Sequence, residues 1–578
     1  MSSEIVIDIE TDSLDATVIW CVVAQDLTTE VQHVFTNAGD FAQYVQQNQG
    51  ATLYAHNGVK FDYPVLEGLW GISWDGMTLM DTLVMSRLAN PSREGGHSLD
   101  NLSGTKGEHS DFSQYSPAML EYCKQDVRST VKVVNKLKQE LKGFDPRSIQ
   151  LEHDVARIIA KQINNGWLLD ERKCFILLAE LKEKQIELEQ AVRDTFRPVA
   201  KAVREVTPKI KKDGTLSTVG LQYLGDDCLR VVGGPHTRIE FPEFNLGSRK
   251  QIGEYLIRFG WVPKTFTETG QPIVDEAVLE KVEGIPEASL IAEFLMVQKR
   301  VAQVQSWVDA ADSEGRVHGY VNSNGAVTGR MTHSSPNVAQ VPANYAPYGE
   351  ACRACWMVPK GYKLVGCDAD GLELRMLAHY MDDAEYTKIV CEGNKDEGTD
   401  VHTVNQRNAG LGTRDQAKTF IYAFLYGAGD AKIGSIVGGS KSDGARLKAK
   451  FLRNTPSLAN LKERVGLAAS RGWLSGLDGR RIAVRSSHAA LNTLLQGAGA
   501  VVMKQALVNL DRMARAQGLD YKFVGNIHDE IQAEVREDHA EKFGKLAAYS
   551  ITKAGRDFNL RCPLAGGYDI GNNWSETH

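Results

Sequence analysis

The sequence predicts a multidomain α/β protein. Three observations lead there. A chain of 578 residues exceeds what one hydrophobic core accommodates, so roughly three to five structural units are expected. Strand-like and helix-like periodicities alternate through the first 145 residues. A long helical stretch at 150–195 then separates that unit from a C-terminal half in which strands and helices mix.

In chain order, Glu4 to Ile9 alternates like a strand, Val18 to Ala24 is a second apolar run, and Ser116 to Glu140 has helical period. Residues 150–195 are amphipathic and helical, in LEHDVARIIAKQINNGW and CFILLAELKEKQIELEQAVRDTF. Between about 196 and 246 the pattern gives way to Gly, Pro, Lys and short β-like pieces such as CLRVVGG and TRIEF, the signature of an insertion. Helical periodicity returns at 249–312 in RKQIGEYLIRFGW and EASLIAEFLMVQKRVAQVQSWVDAA. No internal repeat or low-complexity tract is present.

Composition excludes several classes. Hydrophobic residues at 42% and charged residues at 24% suit a soluble globular protein rather than a disordered or membrane chain. No apolar run reaches the roughly 18–20 residues that span a bilayer. The start, MSSEIVIDIETD, lacks a basic region before its apolar stretch, so it does not read as a signal peptide, and a cytoplasmic location is expected. The nine cysteines are scattered; Cys352 and Cys355 form one CxxC without a second pair to close a zinc site, which favours reduced structural thiols. A net charge of −7 argues weakly against a nucleic-acid partner, but local charge decides such contacts. Arg197, Lys201, Arg204, Lys209, Lys211 and Lys212 face only Glu205 and Asp213 in one stretch, either a solvated face or a contact surface.

Chemistry concentrates in two places. Asp8 and Glu10 lie two apart on the first strand, so both leave the same face. Side by side they repel unless a cation intervenes or the face is open to solvent. HNGVKFDYP adds Asn57 and Asp62 where the run ATLYA breaks into a turn, and EYCKQD sets Tyr122 and Asp126 four apart on one helix face. The second cluster begins with KLVGCDADGLELRMLAHY: an apolar strand ending in Asp368, a turn at Gly371, a helix from Leu372. FVGNIHDEIQAEV alternates on both sides of His528-Asp529-Glu530, with Ile531, Ala533 and Val535 on one face and Asp529 at a hairpin tip. Nothing local explains two successive acids there. A solvated turn acid is the plain alternative, but a buried Asp529 without a cation is costly.

A helix, RDQAKTFIYAFLYGAG, completes the cluster. Arg414, Lys418, Tyr422 and Tyr426 recur every four residues, drifting about 40° per step, and so form one slowly winding stripe. Phe420, Ile421 and Leu425 supply the apolar side. Two cations leading two aromatic rings suit a triphosphate followed by a sugar and a base.

These strings carry two resemblances. The order D-x-E, D, Y-xxx-D is similar to the DEDD-type 3′→5′ exonucleases of the tyrosine subclass. That implies an RNase H-like domain in which Asp8, Glu10, Asp62 and Asp126 hold two Mg²⁺ ions, Mn²⁺ being able to substitute, while Tyr122 orients the attacking water. NGAVTGRMTH, DADGLELRMLAH, RDQAKTFIYAFLYGAGD, KIGSIVG, SHAALNTLLQGAGA and HDEIQ resemble the family A DNA polymerases, nearest in wording to the T-seven-like replicative enzymes of podophages. The likeness runs along nearly the whole chain, weakest at about 85–120 and 196–246.

This second resemblance implies a right-hand polymerase after the exonuclease. Its parts are the exonuclease at 1–145, a thumb at 146–310 with the insertion at about 196–246, a first palm part with motif A at 311–380, fingers with motif B at 381–487, and a second palm part with motif C at 488–578. Asp368 and Asp529 are implied as ligands of two catalytic Mg²⁺ ions, assisted by the Ala369 carbonyl. Arg414, Lys418 and His402 would meet the incoming dNTP, with Lys418 also catalytic, and Tyr422 and Glu373 would crowd the sugar's 2′ position. Tyr426 would stack near the templating base. Arg330, Gln496 and His528 would touch the minor-groove edge of primer-template DNA, where correct pairs offer nearly the same acceptors. Implied partners are primer-template DNA, dNTPs and a processivity partner such as host thioredoxin or the replisome's helicase–primase, with no membrane and a monomeric subunit. Direct phosphate contact is the expected use of the basic insertion, and a protein partner is the alternative.

Three rivals stand against this expectation. A single-subunit RNA polymerase would lack the exonuclease acids and Glu373. A bacterial repair polymerase would precede the first strand with a 5′-nuclease domain. A decayed DNA-binding relative would have lost ligands.

Overall fold

The computed structural model describes residues 3–578 apart from 106, 108–110, 197, 199, 208, 216–235, 242 and 283. Of the sequence expectations, Arg197 and the piece CLRVVGG therefore lie outside the described residues. Two compact units emerge: 171–309, and the remainder, formed by 1–170 with 310–578.

The larger unit begins with a five-stranded sheet. Its strands are β1 (Glu4–Thr11), β2 (Ile19–Asp26), β3 (Gln32–Phe35), β4 (Thr52–Ala55) and β5 (Thr78–Asp81), in the order β3-β2-β1-β4-β5. β1 runs antiparallel to β2 and parallel to β4. Alternation along β1 splits its side chains between two cores. Ile5, Ile7 and Ile9 join Phe41, Tyr63 and Leu66 on one face. Val6 points to the other, where Cys123, Val127 and Val134 of the Pro117–Glu140 helix pack. Asp8 and Glu10 continue the Val6 side and so face that helix. The helix starts where its sequence dictates: the Ser116 hydroxyl accepts from the Met119 N–H and Pro117 occupies the first turn.

The helical stretch at 150–195 is two helices, Pro146–Asn165 and Glu171–Thr195, parted by a short strand, Trp167–Leu169. That strand pairs with Arg316–Val317 and Trp356–Met357, which keeps residues 146–170 in the larger unit. The second unit thus starts at Glu171 and not at 146. Trp167 also packs against Trp356 and Trp574, with ring centroids 5.4 and 4.9 Å apart.

A four-stranded antiparallel sheet forms the centre of the C-terminal half, in the order Tyr521–Ile527, Glu530–Arg536, Tyr362–Ala369, Gly566–Gly571. The long Ala490–Ala516 helix belongs to the same core, with Val501, Val502, Ala506, Leu507 and Leu510 buried. Residues 384–469 are helical, from Ala384–Glu392 through Arg414–Leu425 to Pro456–Ala469. Cys352 and Cys355 are both fully buried. Among the described residues no helix is long and apolar enough to cross a membrane.

Within residues 171–309, the Glu171–Thr195 and Pro286–Asp309 helices pack along each other, with Lys184 Nζ 3.6 Å from Glu293 Oε1. Phe196, Phe244, Tyr255 and Phe259 form an aromatic cluster. The described part of the insertion holds an antiparallel hairpin, Lys201–Val206 with His236–Glu240.

Candidate active sites

The motif A strand ends in the middle of its sheet, so Asp368 is flanked on both sides. It pairs with Glu530 across one edge and Gly567 across the other. Asp529 is one residue away, in the turn whose other residue, His528, has φ 58°. Burial, and then the charges of Asp529 and Glu530, push the Asp368 carboxyl up to about 7. Asp529 is likewise raised by burial and by Glu373. Two half-buried carboxylates that destabilise each other's charge fit a divalent cation, whose oxygen ligands they would be. Ala369, the last strand residue, donates its N–H to the Asp368 carboxyl.

Glu530 answers the puzzle of the successive acids. It points away from Asp529, as strand alternation requires, into a buried network in which its carboxylate accepts from Trp574 Nε1 at 2.6 Å and Gln532 Nε2 at 2.5 Å. Asp529 alone of the two is left for the site.

The stripe helix begins with a capping box, Thr413 and Gln416 exchanging hydrogen bonds, and buries Ala417, Phe420, Ile421, Phe424 and Leu425. Its opposite side carries Arg414, Lys418, Tyr422 and Tyr426, the lysine and the last tyrosine exposed. Tyr422 and Tyr426 stack with centroids 6.4 Å apart, and His402 lies 6.2 Å from Tyr422. Glu373 joins this group: Tyr426 Oη lies 3.4 Å from its Oε1, and Arg330 Nη2 lies 3.6 Å from the same atom. Burial and then Glu373 raise the Tyr422 hydroxyl. His528 and Arg330 line one small cavity of about 30 Å³. Gln496 stands half-buried on the long helix, one residue before Gly497, where a Cβ would lie 3.6 Å from the Thr328 carbonyl oxygen.

Asp400 is a site residue that sequence reasoning missed. It caps the helix carrying His402 and holds Arg414, with Nη2 and Nε at 2.9 and 3.1 Å from its Oδ1. Against the burial that would raise it, bonds from Arg414 and Thr403 keep this carboxyl at about 2. Its position two residues before His402 was the available signal.

The N-terminal acids also converge. Burial, then Asp62, Glu10 and Asp126, push Asp8 well up. Glu10 rises to about 8 through burial, Cys21, Asp126 and Asp62. Burial takes Asp62 to about 7. Asp126 rises through burial while accepting a hydrogen bond from Tyr122 that opposes the rise. Burial dominates at all four carboxyls and neighbouring acids add to the rise, so the donor set fits divalent cations. The Tyr122 ring is approached at 6.5 Å by Phe112 and closely by Gly107, where a Cβ would meet it at 2.6 Å.

Two further residues went unread here. Cys123 Sγ lies 3.4 Å from Asp8 Oδ2, and with Asp8 and Glu10 it offers ligand atoms within 4.8 Å of one another. Its spacing of three from Asp126 was the clue. Asp81 accepts from the N–H groups of Asn57 and Val59, both at 3.0 Å, and from Leu83 at 2.8 Å. It thereby fixes the turn that delivers Asp62.

Paired acids on an antiparallel sheet, a cation-and-tyrosine helix and an N-terminal four-acid α/β sheet in the same compact unit define a polymerase hand with an N-terminal α/β domain. The chain belongs to DNA polymerase family A, whose sequence pattern matches residues 232–576. It is 34% identical to the DNA-directed DNA polymerases of Enterobacteria phage T3 and Escherichia phage T7, over 99% of this chain and 100% of each relative. A DNA polymerase I of Pseudomonas aeruginosa is 25% identical, over 86% of this chain and 52% of that one. The POL domain of Pol1 from M. smegmatis, solved in complex with DNA primer-template and dNTP, has the same fold, with a TM-score of 0.78 and 19% identity over 99% of this chain and 96% of that one.

Proposed function

We propose that this chain copies a DNA template by extending a primer 3′-hydroxyl with dNTPs, and that it proofreads through a separate 3′→5′ exonuclease, as the replicative polymerase of a bacteriophage in its host's cytoplasm. The Asp368–Asp529 pair, half-buried and with Asp529 acting on Tyr422 and Tyr426 of the stripe helix, carries the reading. When bound, two Mg²⁺ ions per site supply Lewis acidity, lowering the pKa of the attacking oxygen and neutralising the leaving one.

The chain's own groups do the rest. Asp368, Asp529 and the Ala369 carbonyl hold the polymerase ions. Arg414, Lys418 and His402 neutralise the triphosphate and orient it for in-line attack, Lys418 countering charge on the departing pyrophosphate. Glu373 and Tyr422 close the sugar's 2′ side, Tyr426 stacks near the template, and Arg330, Gln496 and His528 check the primer's minor-groove edge. In the exonuclease, Asp8, Glu10, Asp62 and Asp126 hold the ions and Tyr122 positions the water. Primer extension with a labelled oligonucleotide tests both activities: lengthening with dNTPs and shortening without them are expected. An Asp529→Ala chain that still extends at a tenth of the wild-type rate would overturn the two-ion reading.

The insertion has two uses to weigh. Lys201, Arg204, Lys209, Lys211 and Lys212 are all exposed, which suits direct phosphate contact that weakens steeply with salt. Val203, Ile210, Ile239 and Phe241 are exposed beside them, which favours the second reading, a protein processivity partner such as thioredoxin. Product length on primed single-stranded circles, with and without thioredoxin across a salt series, separates the two. Lengthening only with thioredoxin makes the insertion a docking site.

A further inference from the structure

Beneath the polymerase site lies a charged cluster that the reaction does not use. Glu152 of the Pro146–Asn165 helix, Lys504 of the Ala490–Ala516 helix, and Asp478 and Arg480 of the turn between Trp473–Ser475 and Arg481–Ala483 are all buried, with side chains 4% exposed or less. Lys504 Nζ lies 2.6 Å and Arg480 Nη1 2.7 Å from Glu152 Oε1, and Arg480 Nη2 lies 2.6 Å from Asp478 Oδ2. Two cations and two anions cancel.

Stability alone is a weak reason for such a network. Taking four charges out of water costs more than their mutual attraction usually returns, and well-packed apolar replacements are often as stable. Its placement offers a better one. Arg480 packs under a tight turn in which Gly329 N–H donates to the Ala326 carbonyl at 2.8 Å and Ala326 N–H to the Arg330 carbonyl at 3.2 Å. Gly329 has φ +77°, and a Cβ there would lie 2.9 Å from Arg480 Nη1, so the guanidinium occupies the space a side chain would need. Lys504 reaches the same surface from the other side, lining the small cavity shared by Gly329, Arg330 and His528.

We propose that Arg480, anchored by Glu152, Asp478 and Lys504, is a positioning residue that fixes the Gly329–Arg330 turn so that Arg330 meets the primer end. The inference rests on the reading of Arg330 as a primer-end contact. Loosening the network would let that turn shift, blunting extension of a matched primer more than dNTP affinity, since Arg414 and Lys418 stand on a different helix.

The test is a double-mutant cycle between Arg480→Lys and Arg330→Ala, read as single-turnover extension of matched and mispaired primers, with thermal midpoints recorded for every variant. Arg480→Lys keeps the charge but loses the planar fork. It is expected to slow matched extension about tenfold in the wild-type background, the scale of coupling between neighbours, and hardly at all in the Arg330→Ala background. The gap between matched and mispaired ends should narrow while the KM for dNTP holds. Equal slowing in both backgrounds, or no slowing in either, would overturn the positioning role. An Arg330→Ala chain that extends matched primers normally would instead remove the underlying reading of Arg330. Should Arg480→Lys fail to fold, Glu152→Gln goes through the same cycle with the same two outcomes.

Discussion

Replacing Asp368 by asparagine should make the metal-free chain more stable at pH 8 while abolishing extension. The Asp368 carboxyl rises from an ordinary 3.8 to about 7, burial first and Asp529 next. A native carboxyl that binds its proton more tightly than the unfolded one favours folding only while protonated, so stability falls as pH rises from about 4 to about 7 and stays low above it. A rise of about three pH units corresponds to about 4 kcal/mol at most. Part of the group reaches solvent, which lowers that to about 2 kcal/mol, a shift of a few degrees in midpoint. The assay is thermal unfolding of wild type and Asp368→Asn in EDTA at several pH values, then with Mg²⁺. The variant should lead at pH 8, the gap should close toward pH 4, and Mg²⁺ should raise the wild type more than the variant, which keeps only the N-terminal acids as a full ligand set. Equal midpoints in EDTA at pH 8 would refute the reasoning, because Asp368 would then carry no repulsion for a cation to relieve.

Other outcomes follow from the same geometry. Asp8→Ala combined with Glu10→Ala should stop degradation of single-stranded 3′ ends in a gel assay while extension continues; loss of both would mean that the sites depend on each other. Tyr422→Phe should restore discrimination against dideoxynucleotides by orders of magnitude, about 3–4 kcal/mol in relative kcat/KM if one buried charge-assisted hydrogen bond is removed, and equal incorporation by both forms would count against that role. Asp400→Asn should raise the KM for dNTP several-fold with a smaller change in kcat, since Arg414 and the His402 helix both lose their anchor; an unchanged KM would place Arg414 elsewhere during binding.

The elements and site acids that local patterning controls were legible. Period-two alternation on β1 and on both sides of Asp529, a glycine after Asp368 and a four-residue stripe from Arg414 are short-range signals, and Ser116 and Thr413 mark helix starts by their own side chains. What stayed hidden depends on residues far apart in sequence. The partner of Glu530 is Trp574, that of Arg480 is Glu152, and the strand that draws 146–170 out of the second unit pairs at 316–317 and 356–357. Cys123 looked like a core thiol, and it is one; its contact with Asp8 comes only from its helix packing on the face of β1 that carries Asp8.

The Pro146–Asn165 helix makes the N-terminal domain hard to detach. His153 Nε2 accepts from the Asp81 N–H at 2.8 Å, Ala156 lies in the core of the first sheet, Glu152 serves the buried charges under Arg330, and Gln162 accepts from Asn526 of the motif C hairpin at 2.5 Å. One rod therefore has its successive turns committed to both halves. A truncation at residue 145, the natural place to cut from sequence, would strip His153 and Ala156 of their cover and leave the same rod to frame the polymerase with one flank raw. Removing the function of the N-terminal acids while keeping the polymerase should therefore proceed by point substitution in those acids, not by excision.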